Sequence, residues 1–411
     1  MKIAVVYQYY QGHSAPGHSL IYEYTQHLAE QGHQVTVISG ETGYMRPDQS
    51  KRPWYKRLLR IERDGLVKVI RTYTYSELHR SYLGRLISFI SFSLTAPIGL
   101  LRSDKPDVLL ASSPPIFPVF SIWLVCKLRR IPMVFEVRDL WPESAVQMGI
   151  LRNRALIAVM SWMERVLYDQ CDLVVALTQG IHDDIERRGW PAKKLKVITC
   201  GVDLKMLFPD PCAGQKVRLE HGWGERNVVL YLGAMGQANN LDLILDAACR
   251  CEDDNVLFVL VGDGMQRLHL EARVQAECLA NVMILPSVPK AMARAYISAA
   301  DICLVTLLDI PLFRGAIPTK LLDYMACECP VLCGISGEAA EIVSVSGAGV
   351  VFAPSADRLV AAMMELLADP ERRRVMGENG GRYVRAYFNA QVNRARMAAT
   401  LAEVANSVPS R

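Results

Sequence analysis

The sequence predicts an α/β fold with two doubly wound, Rossmann-like domains that face each other across a cleft. Three observations lead to this prediction. The chain has 411 residues, more than one ordinary hydrophobic core accommodates. Apolar residues make up 51% of it and charged residues 21%, which is typical of a globular protein. Short runs of β-branched residues alternate with helical patterns in both halves, which indicates parallel sheets covered on both faces.

Each predicted strand is a short run rich in apolar and β-branched residues, as expected for strands whose two faces are covered. In the first half these runs are 3–9, 34–39, 67–73, 107–112, 133–137, 173–177 and 195–198. In the second half they are 228–233, 256–261, 282–285, 302–307, 330–332 and 350–352. Ligands of such sheets bind beyond the carboxyl ends of the strands, so we expect functional residues in the turns that follow.

The alternating pattern thins out between Gly201 and Gly224, where Pro209 and Pro211 interrupt it. We therefore expect one domain at 1–203 and a second at 204–385. The last segment, 386–411, has a charged helical pattern and is expected to pack back across the junction.

Charge and cysteine content exclude several classes of protein. The net charge of +4 is too small to indicate nucleic-acid binding. The start of the chain, MKIAVVYQYY, fits a strand and lacks the features of a signal peptide, so a cytoplasmic protein is expected. The eleven cysteines show no C-x2-C pairs and no nearby histidines, which favours buried free thiols over a metal site.

Two segments suggest contact with a membrane surface. From Lys51 to Arg63, six cations surround aromatic and aliphatic side chains such as Trp54, a mixture suited to anionic lipid. A solvated basic loop and helix is the alternative for this segment. From Leu86 to Leu101 the chain carries no charge, but it is short for a membrane span and contains Pro97.

The turn after the first strand, YYQGHSAPGHS at 9–19, is rich in glycine. Its glycines, including Gly17, let the backbone approach a phosphate or a sugar. It does not match G-x-G-x-x-G, so the dinucleotide fingerprint is absent. His13 and His18 are either acid–base groups on the acceptor side or ordinary polar loop residues.

The segment EVRDLWPES at 136–144 follows the strand 133–137 and gathers charged side chains where that strand ends. Asp139 is a candidate to accept a proton or to orient an acceptor hydroxyl. Arg138 and Glu143 are further acceptor-side candidates. A purely structural arrangement of Arg138 with Asp139 is the alternative.

The second half contains two more glycine turns after strands. YLGAMG at 231–236 supplies Gly233 and Gly236, and VGDG at 261–264 supplies Gly264. All three are expected to line a phosphate-bearing ligand, because glycine permits close approach of the backbone.

The most informative stretch is FRGAIPTKLLDYMACECPVLCG at 313–334, which fits a turn, a helix and a short strand. Arg314 and Lys320 lie at the turn, and Pro318 and Thr319 begin the helix. A helix N-terminus with cations beside it suits phosphate. Asp323, one turn into the helix, suits a ribose hydroxyl pair. These residues together indicate a nucleotide-diphosphate pocket.

Four features, in their order along the chain, resemble family 4 glycosyltransferases of the GT-B fold. They are the YLG turn, the VGDG turn, the junction at 299–301 and the helix at 320–330. Gly201-Val202-Asp203 at the interdomain link also resembles this family, and the resemblance covers nearly the whole chain. The segments EVRDLWPES and IPTKLLDYMA are similar to the subgroup with the O-antigen N-acetyl-L-fucosaminyltransferase and colanic-acid transferases.

The resemblance implies an enzyme that transfers sugar, with retention, from a nucleotide-sugar to a lipid-linked acceptor at the inner face of the cytoplasmic membrane. It favours UDP as the nucleotide and implies no metal or other cofactor. It assigns acceptor binding to the first domain and donor binding to the second.

The chain departs from the family at two places. The family has two glutamates separated by seven residues; Asp323 matches the second and Gly315 occupies the first. The family's Arg/Lys pair after the YLG turn is also missing from 234–240. Lys320 and Arg314 are the expected replacements, because cations there would stabilise the negative charge that grows on the leaving diphosphate. Two alternatives stay open at this point: a non-catalytic nucleotide-binding subunit and a UDP-sugar epimerase of the same fold.

Overall fold

A computed structural model describes residues 1–12, 15, 20–41, 58–75 and 82–407. The described residues form two compact units. The first consists of Met1–Gly12, Ser19–Thr199 and Val392–Arg411, and the second mainly of Cys200–Gln391.

The first unit is built around an eight-stranded sheet in the order β3-β4-β2-β1-β5-β6-β7-β8. All neighbouring strands are parallel except β3 and β4. The strands are β1 (Lys2–Val6), β2 (Gln34–Gly40), β3 (Leu59–Asp64), β4 (Val67–Thr72), β5 (Val108–Ser113), β6 (Met133–Val137), β7 (Leu173–Ala176) and β8 (Leu195–Val197). The helices are α1 (Leu20–Glu30), α2 (Tyr82–Leu101), α3 (Ile116–Arg129), α4 (Glu143–Gln147), α5 (Arg154–Gln170) and α6 (Gln179–Arg187).

The second unit has a six-stranded, all-parallel sheet in the order β11-β10-β9-β12-β13-β14. Its strands are β9 (Asn227–Leu232), β10 (Val256–Val261), β11 (Val282–Leu285), β12 (Ile302–Thr306), β13 (Val331–Gly334) and β14 (Gly349–Val351). Its helices are α7 (Pro211–His221), α8 (Asp242–Arg250), α9 (Arg267–Ala276), α10 (Ala293–Ser298), α11 (Thr319–Ala326), α12 (Glu338–Ser346), α13 (Ala356–Leu367) and α14 (Pro370–Tyr387). α15 (Ala390–Ser407) follows and returns the chain to the first unit.

The central strands are buried along their whole length, as continuous apolar runs require. Every residue of β5, β6 and β10 is buried. Helices cover the sheets because each buries one side: in α2, Phe92 and Leu100 are inaccessible to solvent. This burial on both faces is the reason that the strand pattern lacked polar alternation.

For the segment from Lys51 to Arg63, membrane contact is expected, with a solvated basic loop and helix as the alternative. Its part at 59–63 belongs to β3, an antiparallel edge strand paired with β4. The Glu62 carboxylate accepts hydrogen bonds from the guanidinium groups of Arg60 (2.6 Å) and Arg71 (2.8 Å). Charged side chains therefore flank this edge strand and protect it against pairing with other strands. Residues 51–57 lie outside the described residues.

The apolar segment from Leu86 to Leu101 lies within α2, which has 20 residues. Within the described ranges, α2 is the one helix that is long and apolar enough to cross a membrane by length and composition. It packs against β2, β4 and α3, so one of its sides belongs to the core of the first unit.

The start of α15 is attached to the rest of the first unit by polar contacts. Asn393 donates to the backbone carbonyl of Thr199 (2.9 Å), and the Arg394 guanidinium pairs with Glu23 of α1 (2.6 Å). Both Arg394 and Glu23 are largely shielded from solvent, so this pair is weakly screened.

Candidate functional site

The carboxyl ends of β9 and β10 form two glycine turns in van der Waals contact with each other. A Cβ on Gly262 would lie 1.9 Å from the carbonyl oxygen of Gly233. A Cβ on Gly264, whose φ is +156°, would lie 2.4 Å from the carbonyl oxygen of Met235. The amide of Met235 donates to the carbonyl of Asp263 (2.8 Å) and closes the contact. Only glycine fits at 262 and 264, and the pair of turns forms a rigid backbone surface at this sheet edge.

Lys320, from the first turn of α11, lies over this surface. A Cβ on Gly233 would approach the lysine Cε to 3.2 Å, so glycine there leaves room for the side chain. The Lys320 ammonium donates to the Tyr231 hydroxyl (2.6 Å) and to the Asn239 side-chain carbonyl (2.7 Å). Three separate segments of the second unit therefore meet at one cation.

The two oxygen acceptors of Lys320 are themselves held in place. The Tyr231 hydroxyl donates to the carbonyl of Ala234 (2.7 Å), and the hydroxyl of Thr306 donates to the carbonyl of Asn239 (2.7 Å). The position of the ammonium is thus fixed before any ligand binds. Preorganised charge of this kind is effective because no reorganisation is needed when charge develops beside it.

Burial lowers the pKa of Lys320 to about 7, because the charged form loses hydration that neutral oxygens replace only in part. Among the described residues no carboxylate forms an ion pair with Lys320. An anionic group brought to the ammonium would therefore raise its pKa and be held strongly.

Asp323 lies one turn further along α11. Its carboxylate forms an ion pair with Lys290, which lies between β11 and α10, and both side chains are mostly shielded from solvent. Lys290 is not among the expected site residues. A ribose at Asp323 would share the carboxylate with this lysine.

Arg314 lies in the short 3-10 turn Pro311–Gly315, and its side chain is exposed. Its backbone is fixed, because a Cβ on Gly337 (φ +86°) would lie 2.1 Å from the Arg314 carbonyl oxygen. The acceptors of the Lys320 ammonium in the described part of the chain, Tyr231 and Asn239, lie on other segments than Arg314. Its role in charge stabilisation stays a prediction.

The remaining donor-side candidates are backbone positions. Pro318 precedes α11 and Thr319 is its first residue, so the first amides of the helix lie beside Lys320. A Cβ on Gly236 would meet only Asn239, at 3.7 Å, so packing does not require glycine at 236.

In the first unit, a second polar cluster lies where β5 and β6 end. Ser112 and Glu136 are register partners and therefore point to the same side of the sheet. The Ser112 hydroxyl donates to the Glu136 carboxylate (2.6 Å), and burial raises the pKa of that carboxyl although the Arg138 cation opposes the rise. Arg138 lies over the ring of Tyr7, with 5.2 Å from its guanidinium carbon to the ring centroid.

Asp139 and Glu143 lie just beyond this cluster. Burial raises the pKa of Asp139 to about 7, and the neighbouring Ser144 hydroxyl and Leu140 amide favour the ionised form. The Glu143 carboxylate accepts from Gln147 (2.7 Å) within α4. His13, Gly17 and His18 lie outside the described residues.

Five residues of these clusters were not predicted as site residues from the sequence: Glu136, Ser112, Tyr231, Asn239 and Lys290. For Glu136 a signal exists: it is a carboxylate within a run of apolar residues, two positions before the cation of Arg138, which follows the strand. The contacts of the others depend on tertiary structure.

Comparison with known proteins identifies the class to which this fold and these turns belong. The profile described as Glycosyltransferase Family 4 matches residues 18–206, and the profile described as Glycosyl transferases group 1 matches residues 215–383. The chain belongs to the family 4 glycosyltransferases of the GT-B fold, and it is a transferase.

Similar individual proteins agree with this assignment. The putative colanic acid biosynthesis glycosyl transferase WcaI of Escherichia coli is 23% identical over 330 residues, 74% of this chain and 76% of that protein. A GDP-mannose-dependent phosphatidylinositol monomannoside mannosyltransferase of Mycobacterium tuberculosis is 25% identical over 303 residues, 66% of this chain and 77% of that protein. The structure of Anabaena HepE with UDP and glucose superposes with a TM-score of 0.73 at 18% identity, covering 98% of this chain and 99% of HepE.

Proposed function

We propose that this glycosyltransferase moves a sugar from a UDP-sugar to a lipid-linked saccharide, with retention of anomeric configuration and without a metal. The proposed place is the inner face of the cytoplasmic membrane, in the synthesis of a bacterial surface polysaccharide such as O-antigen, capsule or exopolysaccharide. The observation that supports it most is Lys320, held by Tyr231 and Asn239 at the ends of the glycine turns.

Lys320 suits the diphosphate of the donor. Within the described residues its ammonium has hydrogen-bond partners but no carboxylate in an ion pair with it, so a phosphate oxygen would be its first anionic partner there. The amides at the start of α11 lie beside it. As the glycosidic bond breaks, the electron pair goes to the diphosphate oxygen, and a protonated Lys320 would stabilise that charge.

Asp323 suits the ribose. A carboxylate accepts hydrogen bonds from both hydroxyls of a vicinal pair, and the Lys290 ammonium forms an ion pair with Asp323. Loss of Asp323 would also leave Lys290 without its carboxylate, so the two residues act as one unit.

Retention requires the acceptor oxygen to attack from the side on which the leaving group departs. The acceptor hydroxyl then gives its proton to the departing phosphate oxygen, and a protein base is optional. Asp139 is the candidate to orient that hydroxyl, since a carboxyl with a pKa near 7 can either donate or accept a hydrogen bond there.

The choice between UDP and GDP rests on similarity alone. HepE was solved with UDP and glucose, whereas the mycobacterial relative is named as GDP-mannose-dependent. The lipid-linked acceptor is supported in the same way, because that relative's name specifies a phosphatidylinositol acceptor and WcaI is named for colanic acid synthesis.

A nucleotide screen followed by product analysis tests the proposal. The melting temperature of the purified chain is recorded with UDP, GDP, dTDP and ADP, since a ligand that binds only the folded state raises it. We expect a rise with UDP alone. A rise with GDP alone would keep the transferase and overturn the UDP-sugar donor.

Product analysis tests retention and the acceptor. The chain is incubated with UDP-sugars and a lipid-linked saccharide, with and without EDTA, and the new linkage is read by proton NMR coupling. We expect the donor's anomeric configuration and no effect of EDTA. An inverted linkage, transfer only to soluble sugars, or loss of activity with EDTA would each contradict one part of the proposal.

A further inference from the structure

The outer side of α2 is a continuous apolar stripe. Its side chains recur every three or four residues, so they lie on one face of the helix, over about 27 Å of its length. Each is between 41% and 70% exposed: Leu83, Ile87, Ile90, Leu94, Ile98 and Leu101. Large aliphatic side chains that are exposed along a whole helix mark a surface that binds something.

The adjacent helix α3 also exposes large aliphatic side chains. Leu124 and Leu128 are one turn apart and exposed, Leu128 by 85%. α3 packs along α2, and Arg129 near its end donates to the carbonyl of Leu100 in the last turn of α2 (2.9 Å). We call the six residues of α2 together with Leu124 and Leu128 the α2–α3 face.

The charged residues within α2 and α3 themselves are all basic. The sequences of α2 and α3 contain no aspartate or glutamate. Exposed Lys127 and Arg130 lie at the end of α3, and Arg102 follows α2. Asp104 and Asp107 come after Arg102. The Asp107 carboxylate accepts a hydrogen bond from the backbone amide of Lys2 (2.7 Å), which partly satisfies its negative charge.

We propose that the α2–α3 face docks on the surface of a bilayer that contains anionic lipid, with its aliphatic side chains below the head groups and its cations among them. This deepens the proposed function, because it names the surface by which the enzyme reaches a lipid-linked acceptor. The segment from Lys51 to Arg63, whose described part is an edge strand, stays a separate prediction of membrane contact.

Charge and packing favour a lipid surface over the other occupants. A second copy of this chain would present the same face, which has no carboxylate to pair with Lys127 and Arg130. A bilayer with anionic lipid supplies both the apolar layer and the counter-charge. Spanning is disfavoured because the inner side of α2, including Phe92, is committed to the core of the first unit.

Vesicle co-flotation tests the proposal and needs no sugar donor, so it is independent of the glycosyl-transfer assay. The full chain is mixed with vesicles of phosphatidylcholine alone or with phosphatidylglycerol. Leu94→Glu is compared with Leu268→Glu, a matched control because Leu268 on α9 is 79% exposed in the other unit. Lys127→Glu is compared with Lys216→Glu on α7, which is also exposed.

We expect the wild type to float with phosphatidylglycerol vesicles and far less with phosphatidylcholine. Leu94→Glu should weaken binding about tenfold or more, since it removes one inserted leucine and adds a repelled charge. Lys127→Glu should weaken it at low salt, and both controls should bind normally. Failure of the wild type to float, or normal binding by Leu94→Glu with an unchanged melting temperature, would overturn the proposal. So would a dimer in the wild type that Leu94→Glu converts to a monomer, because the face would then be an interface between copies.

Discussion

Replacing Lys320 with methionine tests the central charge of the site. Methionine keeps much of the length and apolar stem of lysine while removing the ammonium. If Lys320 stabilises the leaving diphosphate, its loss should cost about 2–4 kcal/mol of transition-state stabilisation. That corresponds to a fall in kcat/KM of roughly thirty- to a thousand-fold. The matched control is Lys216→Met, an exposed lysine on α7.

The lowered pKa of Lys320 adds a measurement that a purely structural lysine would not affect. In the free enzyme the ammonium loses its proton as the pH rises through about 7. A bound diphosphate favours the charged form, so the bound pKa is higher and ligand binding takes up a proton. Affinity should therefore be greatest below pH 7 and fall by up to about tenfold per pH unit above it.

Isothermal titration of UDP in buffers of different ionisation enthalpy measures this proton uptake. At pH 8, where UDP itself is fully ionised, we expect the wild type to take up nearly one proton per ligand and Lys320→Met to take up none. Equal proton uptake in both proteins would refute the assignment of Lys320 as the diphosphate partner. So would wild-type kcat/KM in the methionine variant.

Four further substitutions test other parts of the site. Asp323→Ala should weaken UDP binding by about 1–3 kcal/mol, since it also leaves Lys290 without its partner, and unchanged UDP affinity would move the ribose elsewhere. Asp139→Asn should lower kcat by about a hundredfold or more if the carboxyl assists the acceptor hydroxyl. The wild-type rate should then fall as the pH drops below about 7. A near-wild-type rate in the variant would leave Asp139 a structural residue. Gly264→Ala should lower the free energy of unfolding in urea by about 1–3 kcal/mol, because a Cβ there meets the Met235 carbonyl. Gly236→Ala should leave this free energy unchanged. Equal stabilities of the two variants would contradict the packing argument. Glu338 lies in the first turn of α12, next to the turn that carries Gly315. If its carboxylate replaces the one missing at Gly315, Glu338→Ala should raise the KM for the nucleotide-sugar without changing UDP affinity. An unchanged KM would exclude this role for Glu338.

The sequence was most informative where strands are buried on both faces. The predicted limits 133–137 and 256–261 coincide with those of β6 and β10, in which every residue is buried. Such strands are continuous apolar runs bounded by polar or glycine residues, so their ends are visible in the sequence. β3 was missed for the opposite reason: an edge strand with charged residues lacks that pattern, and its pairing with β4 is a tertiary property.

The site was partly predictable for a similar reason. The turns at 231–236, 261–264 and 313–323 follow strands, and parallel strands bring such turns to one edge of a sheet. The sequence did not indicate that Lys320 would reach across Gly233 to Tyr231 and Asn239, because side-chain reach depends on the packing of α11. The partnership of Asp323 with Lys290 likewise joins residues far apart in the chain.

The return of the chain to the first unit after Gln391 has a consequence for synthesis on the ribosome. The partners of Asn393 and Arg394, namely Thr199 and Glu23, emerge long before them. At the usual 5–20 residues per second, the intervening segment takes on the order of 10–40 s to translate. During that time α1 and the end of β8 lack their last helix, while the second unit can already complete its own core. The domain that begins the polypeptide is therefore the last to acquire its full set of contacts.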